Sequence, residues 1–519
     1  MSIFSIPALL NSISKQFPDK LAVVHETKNI SFEELRSSAV SLSNIFKQIG
    51  VNKGDRIGIC MNKNIDQVIV ILGSMYANAI FVPVLPRLKQ DNIGHIISDS
   101  GMRFIVTEPS RLSEVEEFKD KVTILTANEI ASEGFMNLNP LVKSVNHPVD
   151  FFNAISEDAA GIIYSSGSTG RPKGIVTSHR NFYDGARIVS KYLGTEHEDR
   201  IAGVLSFNFD YGLNQIWQTI YKGATLYLHD LLLPNDFFAF IDRWKITDLP
   251  LMPVIISRIF DPRFYNPNKG FDLSSVKYVC SSGGRVSPIM VDNLKGAFKQ
   301  SRIFLMYGLT EAFRSTFLPP EQIDLRSGSI GKAIPESEIY VLDDQNNDCP
   351  PGVAGELVHR GGCISKGYWN DKEKTAERFK IIDRFPGERV VFSGDLVKTD
   401  EEGFIYFISR KDNMLKNSGI RISPSEVEET VEKNKQILSS VVFGIENIEV
   451  GHDLVLVYRT PGKEPLVQGE LMSFLKENLP SHMVPKYQLH MPEFPATGNE
   501  GKIDRVSVIE VAKKQLGFS

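Results

Sequence analysis

The segment IIYSSGSTGRPKGIVTSH, residues 162–179, constrains this chain more than any other. An apolar run typical of a strand leads into small and hydroxylated residues, and Lys173 and Gly174 follow. Small residues let backbone N–H groups approach an oxyanion closely, while hydroxyls and a lysine add donors and positive charge. The segment therefore predicts a triphosphate-binding loop, although its composition is also typical of a surface loop. The candidate residues are Ser165, Ser166, Gly167, Ser168, Thr169, Gly170 and Lys173.

The spacing of this segment excludes one common kind of phosphate loop. GSTGRPKG lacks the GxxxxGK[ST] arrangement of a Walker A loop, which argues against a P-loop kinase or ATPase. The formal net charge of -5 also argues against a nucleic-acid-binding surface, because such surfaces are usually basic. Any phosphate site must therefore be local.

The order of apolar runs predicts an α/β fold. RIGICM (56–61) and FIVTEP (104–109) are typical of buried strands, and DQVIVILGSMYANA (66–79) of a helix. Such alternation favours a mainly parallel sheet covered by helices. From about 320, short strands separated by Gly and Asp turns predict a small antiparallel or barrel-like β-subdomain, up to 409. With 519 residues, we expect a large multi-layer N-terminal domain, 1–409, and a small α+β C-terminal domain, 410–519.

The cysteines and the N-terminus predict the compartment. Four dispersed cysteines form no CxxC pair, which argues against a zinc site and a disulfide scaffold. The first residues lack the pattern of a signal peptide, and no apolar stretch approaches the roughly 18–20 residues of a membrane span. We expect a cytoplasmic protein without a membrane span.

The phosphate segment resembles the signature of the adenylate-forming superfamily, which includes acyl-CoA synthetases, peptide-synthetase adenylation domains and luciferases. Further motifs of that superfamily follow in order over nearly the whole chain, from SFEEL (31–35) and GDRIGI (54–59) through YGLTEA (307–312) to TGNEGKIDR (497–505). The closest resemblance is to stand-alone bacterial AMP-forming acyl-CoA ligases. It implies ATP and Mg²⁺ as cofactors and a mobile C-terminal domain.

The resemblance also implies roles for the residues of an ATP site. Tyr307, beside Gly308, would stack on adenine, and Gly283 and Gly284 would flank the ring. Thr310 would meet the α-phosphate and Glu311 would hold Mg²⁺, although a threonine followed by an acid is equally typical of a helix start. The remaining assignments are Asp395 and Arg410 on the ribose, and Lys173 and Lys502 as catalytic lysines. A serine, Ser409, stands before Arg410 where the superfamily usually has glycine.

The C-terminal part resembles a domain that is used twice. Asp412 matches the hinge residue of the superfamily, while Lys416 and Gly419 match the path of the acceptor's pantetheine. Lys502 matches the lysine that clamps the carboxylate and the phosphate during attack. From composition alone, residues 409–421 are also typical of a solvated linker.

The stretch LSFNFDYGLNQ (205–215) matches the entrance of the superfamily's acyl pocket. We expect Phe207, Phe209, Asp210, Tyr211 and Gly212 there. A buried carboxylate needs a partner, so Asp210 implies either a substrate amine or hydroxyl, or a protein donor such as Asn214 or Arg285.

The resemblance implies that a thiol accepts the acyl group, and two kinds of acceptor are considered. GLTE rather than GPTE, together with ISPSEVEE (422–429), favours coenzyme A over a carrier-protein phosphopantetheine. The alternative is a stand-alone enzyme that loads an amino acid or acyl group onto an acyl or peptidyl carrier protein. A luciferase-like oxygenase and a catalytically inactive homologue are less favoured, since Lys173, Thr310, Glu311, Asp395 and Lys502 are all present.

Overall fold

The computed structural model has one chain, and its described part covers most of the sequence. It describes residues 5–26, 28–86, 88–127, 136–137, 154–166, 171–231, 233–266, 269–411, 415–417, 420–447, 451–462, 464–496 and 503–518.

In these ranges the largest sheet contains both parallel and antiparallel strands. Strands such as Arg200–Gly203 and Tyr278–Ser281 pair in parallel with their neighbours, and antiparallel pairing begins at Arg302–Leu309 with Ala312–Leu318. Its order is Ser337–Leu342, Gly355–Gly361, Val390–Thr399, Ile405–Arg410, Ser329–Ala333, Ala312–Leu318, Arg302–Leu309, Tyr278–Ser281, Asp248–Leu251, Arg200–Gly203, Thr225–Leu228, Leu21–His25 and Lys28–Ser31, with Phe379–Lys380 beside Val390–Thr399.

The predicted β-subdomain is antiparallel but does not form a separate closed barrel. Its strands continue the large sheet, because Ser329–Ala333 pairs with Ala312–Leu318 on one side and Ile405–Arg410 on the other. The strand order of that sheet is linear in the described residues. The barrel-like part of the prediction is therefore wrong.

Two further sheets complete the β-structure of the described residues. The order of the second is Gly367–Tyr368, Pro172–Ser178, Ala159–Ser166, Ile80–Pro83, Arg56–Cys60, Phe104–Thr107, Thr123–Thr126 and Met136–Asn137. The third contains Ile420–Ile422, Leu415–Asn417, Gly451–Arg459 and Ser439–Asn447, with Tyr487–His490 beside Gly451–Arg459.

The helices begin where the sequence supplies caps. Ser31 and Ser178 each form a capping box with the residue three positions later, and this satisfies free N–H groups of the first turn. The α-helices are Ile6–Gln16, Phe32–Gln48, Ile65–Tyr76, Gln90–Ser100, Leu112–Val115, His179–Leu193, Asp210–Lys222, Pro234–Trp244, Pro253–Ile259, Pro288–Ala297, Lys372–Arg378, Pro424–Val431, Gln468–Asn478 and Arg505–Leu516.

A layer of helices lies between the first two sheets. One buried cluster joins Phe81 of the second sheet and Leu226 of the first to Leu10, Phe46 and Trp217 of three helices. Such burial on both faces explains the near-continuous apolar runs of the strands. Together with the mixed strands this confirms the predicted α/β class.

The C-terminal residues form their own sheet and contact the large body through polar and apolar groups. Glu432 lies 3.8 Å from Arg285, and Glu493 lies 3.6 Å from Arg263. Leu438 packs into an apolar cluster of the large body. The boundary near 410 stays a prediction. No helix in the described residues combines the length and the apolar character needed to cross a membrane.

Candidate active site

One antiparallel hairpin carries the motif YGLTEA. Leu309 pairs with Ala312, so Thr310 and Glu311 form the turn between Arg302–Leu309 and Ala312–Leu318. The alternative of a helix start at Thr310 is therefore wrong. A Cβ on Gly308 would lie 2.8 Å from the Arg314 nitrogen, so the close approach of the two strands requires glycine.

The hairpin brings Tyr307 to a buried carboxylate. Arg410 Nη1 donates to Asp395 Oδ1 at 2.7 Å, and the Tyr307 hydroxyl donates to Asp395 Oδ2. Asp395 and Arg410 are direct partners on neighbouring strands. Burial and the adjacent Asp395 charge raise the pKa of Tyr307 well above its usual range, so the phenol stays a donor. The structure thus places three predicted nucleotide residues together.

Ser409 does not disturb this geometry. It pairs with Leu396 in the antiparallel register, is buried, and is not among the residues with positive φ. Because an extended residue needs no glycine, serine at this position leaves Arg410 facing Asp395.

Glu311 is held at the turn of the hairpin by a tyrosine. The Tyr368 hydroxyl donates to Glu311 Oε1 at 2.5 Å, and burial followed by the Glu311 charge raises the pKa of Tyr368. No group of three or more His, Cys, Asp or Glu side chains placed for a metal ion occurs in the described ranges. A cation at Glu311 would therefore need ligands in addition to His, Cys, Asp and Glu side chains, such as phosphate oxygens.

The phosphate segment is a strand, a short connection and a second strand. Ser165 and Lys173 are direct partners on the antiparallel strands Ala159–Ser166 and Pro172–Ser178. The predicted residues Gly167, Ser168, Thr169 and Gly170 lie outside the described residues, as does the Ser166 side chain.

The glycine pair follows the strand Tyr278–Ser281. Gly283 adopts φ +85°, a left-handed conformation that favours glycine. Gly284 follows it, and then Arg285, which reaches Glu432 rather than Asp210.

A small cavity lies between Thr310 and the helix Asp210–Lys222. Asp210, Asn214 and Trp217 of that helix line it, and Thr310 and Phe313 close it from the hairpin. The other lining residues are Ile163, Thr177, Asn181, Phe182, Cys363 and Ser365. Buried polar atoms without a hydrogen-bond partner occur on this wall, at Asn214 Oδ1, Trp217 Nε1 and Ser365 Oγ. The cavity has a volume of about 20 Å³, enough for about one water molecule, so an acid would have to enlarge it.

The five predicted acyl-pocket residues take different positions. Asp210 lines the cavity and accepts from the Tyr211 backbone N–H at 2.7 Å. Phe207 is fully buried in the core, and Phe209 is the N-cap of the helix. A Cβ on Gly212 would lie 1.9 Å from the Ser206 carbonyl oxygen, so glycine permits the chain to turn there.

The expected protein partners of Asp210 are engaged elsewhere. Asn214 Nδ2 donates to Gln218 Oε1 at 3.0 Å, and Arg285 pairs with Glu432. The hydrogen bond that Asp210 accepts comes instead from the first turn of its own helix, where an acid is favoured by the free N–H groups.

Sequence reasoning missed Arg314. This residue follows Glu311 by three positions, adopts φ +56° and is 4% exposed. A charged residue inside the apolar strand AFRSTFL was the available signal, since arginine is almost never fully buried unless paired.

Three predicted residues of the C-terminal part cannot be placed. Asp412, Gly419 and Lys502 lie outside the described residues, and so does the side chain of Lys416. Their roles stay predictions.

A comparison with known families decides the membership of the chain. The family described as AMP-binding enzyme matches residues 10–369. The chain belongs to the AMP-binding enzyme family. The match to this family includes the hairpin and the cavity, whereas Asp395 and Arg410 follow it in the sequence.

Within the AMP-binding enzyme family, similar curated proteins are much longer than this chain. Tyrocidine synthase 1 of Brevibacillus parabrevis is 28% identical over 514 residues, which cover 98% of this chain and 45% of that protein. The chain thus spans less than half the length of this relative.

Solved structures establish the fold over the whole chain. The anthranilate CoA ligase AuaEII, in complex with anthranoyl-AMP, has a TM-score of 0.88 at 22% identity and covers 100% of this chain and 99% of its own. The o-succinylbenzoate CoA synthetase MenE of Bacillus subtilis, in complex with its acyl-adenylate intermediate, has a TM-score of 0.82 at 22% identity, with 96% and 97% covered. The chain therefore has the fold of adenylate-forming enzymes.

Proposed function

We propose that this protein is an AMP-forming acid–thiol ligase that uses ATP, and that its acceptor is coenzyme A. The observation that carries the proposal is the hairpin 302–318. It joins the Tyr307–Asp395–Arg410 cluster to a cavity lined by Thr310 and Asp210, so nucleotide and acid would meet at its turn.

In the first step, a carboxylate oxygen of the acid attacks the α-phosphorus of ATP. A new P–O bond forms, the bond to pyrophosphate breaks, and an acyl-adenylate results. Both reactants are anionic, so positive charge must be focused at the phosphorus. Lys173, the Thr310 hydroxyl and Lys502 would supply donors and charge there, while Asp395 and Arg410 would hold the ribose and Tyr307 the adenine.

Glu311 fits a Mg²⁺ site because magnesium usually binds through one or two carboxylates and the substrate's phosphates. Tyr368 occupies Oε1 and orients the carboxylate. When bound, Mg²⁺ would neutralise phosphate charge.

In the second step, a thiolate attacks the acyl carbonyl, a thioester forms and AMP leaves with the electron pair of the broken C–O bond. The motifs GLTE and ISPSEVEE, and the CoA ligase names of two structural neighbours, favour coenzyme A. The alternative is a carrier-protein phosphopantetheine, which the similarity to tyrocidine synthase 1 favours.

The test is acid-dependent exchange of pyrophosphate into ATP, over a panel of carboxylic and amino acids. Thioester formation is then measured with coenzyme A and with a phosphopantetheinylated carrier protein. Asp395→Asn should lower kcat/KM for ATP by about 10-fold or more, because it weakens a charge-assisted contact to the nucleotide site. Asp348→Asn, at an exposed ion pair with Arg384, is the matched control. Absence of exchange with every acid would refute the proposal.

A further inference from the structure

Arg314 is a buried cation whose hydrogen bonds are incomplete. Its side chain is 4% exposed, and Nη1 donates to the Ser282 hydroxyl at 2.8 Å. Nε and Nη2 are buried and have no hydrogen-bond partner among the residues that the structure describes. A buried donor left unpaired costs about 1–3 kcal/mol, and more when the group is charged. A ligand that accepts hydrogen bonds from such a group would remove this cost.

The neighbours of Arg314 do not neutralise its charge. The guanidinium carbon lies 4.0 Å from the centre of the Tyr211 ring and 4.8 Å from that of Phe313. Burial raises the pKa of Tyr211 and of Cys280 well above their usual ranges, so both are neutral at pH 7. No carboxylate within ion-pair distance of Arg314 is found in the described part of the chain. The faces of the two rings attract the guanidinium cation, but they do not accept conventional hydrogen bonds from its N–H groups, which point outward in the guanidinium plane.

Arg314 lies between the parts of the proposed active site. Ser282 immediately precedes the glycine pair, Tyr211 immediately follows Asp210, and Phe313 lines the cavity beside Thr310. The Arg314 backbone also packs against Gly308 of the YGLTEA motif. Arg314 is not itself among the residues that line the cavity, but its side chain contacts Phe313, which lines it, and Tyr211, the neighbour of Asp210.

We infer that Arg314 binds a second, anionic group of the acyl substrate, so that the enzyme activates acids with a distal carboxylate. This inference rests on the proposed function and specifies its substrate class. A guanidinium offers a planar pair of N–H groups that matches a carboxylate bidentately, and the two free donors, Nε and Nη2, form such a pair. The substrate would thus supply the acceptor that the protein does not.

The experiment compares acids that differ in one group at a time. Butyrate, succinate, 2-aminobutyrate and aspartate share four carbons and combine presence or absence of an amine with presence or absence of a second carboxylate. The five- and six-carbon series extend the comparison to other lengths, and benzoate with isophthalate extends it to rings. ATP–pyrophosphate exchange gives kcat/KM for each acid, and the ratio within a pair does not depend on the fraction of folded enzyme.

Three variants separate charge, donor and shape. Arg314→Met keeps bulk without charge, Arg314→Gln keeps donors without charge, and Arg314→Lys keeps charge without the planar pair. Arg384→Met, at an exposed ion pair with Asp348, is the matched control. ATP binding and the melting temperature are measured for each, because a merely structural arginine would change these rather than the ratio between acids.

We expect the wild type to prefer at least one dicarboxylate over its monocarboxylate partner by about 10-fold or more. Arg314→Met should reduce that ratio by about 30-fold or more, the usual loss on breaking a buried charge pair, and leave the monocarboxylate within about threefold. If Arg314→Gln preserves the ratio, the substrate group that residue 314 binds need not be charged, and the assignment of an anionic group is overturned. An unchanged ratio in Arg314→Met, or no dicarboxylate preference in the wild type, also overturns it.

Direct binding distinguishes failure of this inference from failure of the proposed function. Calorimetric titration of glutarate and valerate is run on wild type and Arg314→Met with a non-hydrolysable ATP analogue. Arg314-dependent glutarate binding without any exchange would refute adenylation and support only the part of the inference that assigns carboxylate binding to Arg314. Exchange with equal binding of both acids would support adenylation and refute the inference, and absence of both signals would refute both.

Discussion

Two buried charges of opposite sign are compensated differently in this protein. Asp395 accepts hydrogen bonds from Arg410 and the Tyr307 hydroxyl, whereas Arg314 donates one to the Ser282 hydroxyl and lies against two aromatic rings. A buried charge is unfavourable unless it is paired and hydrogen-bonded. Asp395 is therefore stable in the free protein, and Arg314 is the group that gains from a ligand.

Lys502 is the residue on which we expect the first step to depend. Lys502→Ala should reduce adenylate formation by about 10²–10³-fold, because it removes charge from a developing anionic transition state. Thioester formation from a supplied acyl-adenylate should change far less. The two half-reactions are measured separately, and an equal loss in both would contradict a role confined to adenylation.

Asp210 tests whether the substrate carries an amine. If it does, Asp210→Asn should weaken exchange with amino acids by about 2–5 kcal/mol and leave other acids nearly unchanged. Exchange rates with 2-aminobutyrate and butyrate measure this. A uniform change would mean that Asp210 acts through its helix, where it accepts the Tyr211 N–H.

At the scale of elements, the hairpin 302–318 depends on a single close approach. In Gly308→Ala the new Cβ would lie 2.8 Å from the Arg314 nitrogen and 2.9 Å from its Cα, so backbone must shift. We expect a loss of about 1–3 kcal/mol in the free energy of unfolding, and a lower kcat/KM for ATP. Urea unfolding and exchange kinetics measure the two effects.

Gly296→Ala is the control for that substitution. Gly296 lies in the helix Pro288–Ala297, and a Cβ there would meet no atom within 4 Å. Alanine should stabilise this helix by up to about 1 kcal/mol. A loss in Gly296→Ala as large as in Gly308→Ala would show that contact with Arg314 is not the cause.

The helix at 66–79 and the hairpin 302–318 show which parts of the structure could be predicted from the sequence and which could not. Apolar periodicity predicted the helix at 66–79, which the structure places at Ile65–Tyr76. The turn at Thr310 was ambiguous, because Thr followed by Glu suits a helix start and the pairing of Leu305 with Leu318 decides otherwise. The apolar strand AFRSTFL could have indicated that Arg314 is buried, but its contacts come from separate segments that meet in space, which no local pattern encodes.

At the scale of the whole molecule, buried histidines link stability to pH. Burial lowers the pKa of His179 and of His359 from about 6.5 to about 4. These two histidines therefore bind protons below about pH 6.5 in the unfolded chain, but only below about pH 4 in the folded chain. Stability is full above that range and falls as the pH drops through it, by roughly 2 kcal/mol per histidine at pH 5.

His359→Gln should remove the contribution of one histidine to the pH dependence of the free energy of unfolding. The free energy of unfolding, measured with urea at pH 7 and pH 5, should fall by about 2 kcal/mol less than in the wild type. His197→Gln, at a half-exposed side chain, is the control. The same fall in wild type and His359→Gln would exclude His359 as a source.

The C-terminal residues contact the large body through pairs that a rotation must break. Arg285–Glu432 and Arg263–Glu493 join separated segments at 3.8 Å and 3.6 Å. If Asp412 is the hinge, Asp412→Pro should restrict its φ angle, keep adenylation within about threefold and reduce thioester formation by about 10-fold or more. Single-turnover rates of both steps measure this, and equal rates in variant and wild type would place the hinge elsewhere.

The hairpin 302–318 also has a consequence for engineering new specificities. Tyr307 and Arg314 lie on the two strands of this hairpin and Glu311 lies in its turn, and the two strands approach closely where Gly308 faces the Arg314 backbone. If Arg314 faces the acid as we infer, exchange of residue 314 alone should change the group that binds the acid and leave Tyr307 and Glu311 in place. We therefore expect an acid preference to transfer best between homologues when residues 302–318 are exchanged as one segment together with Ser282 and Tyr211, which contact the Arg314 side chain.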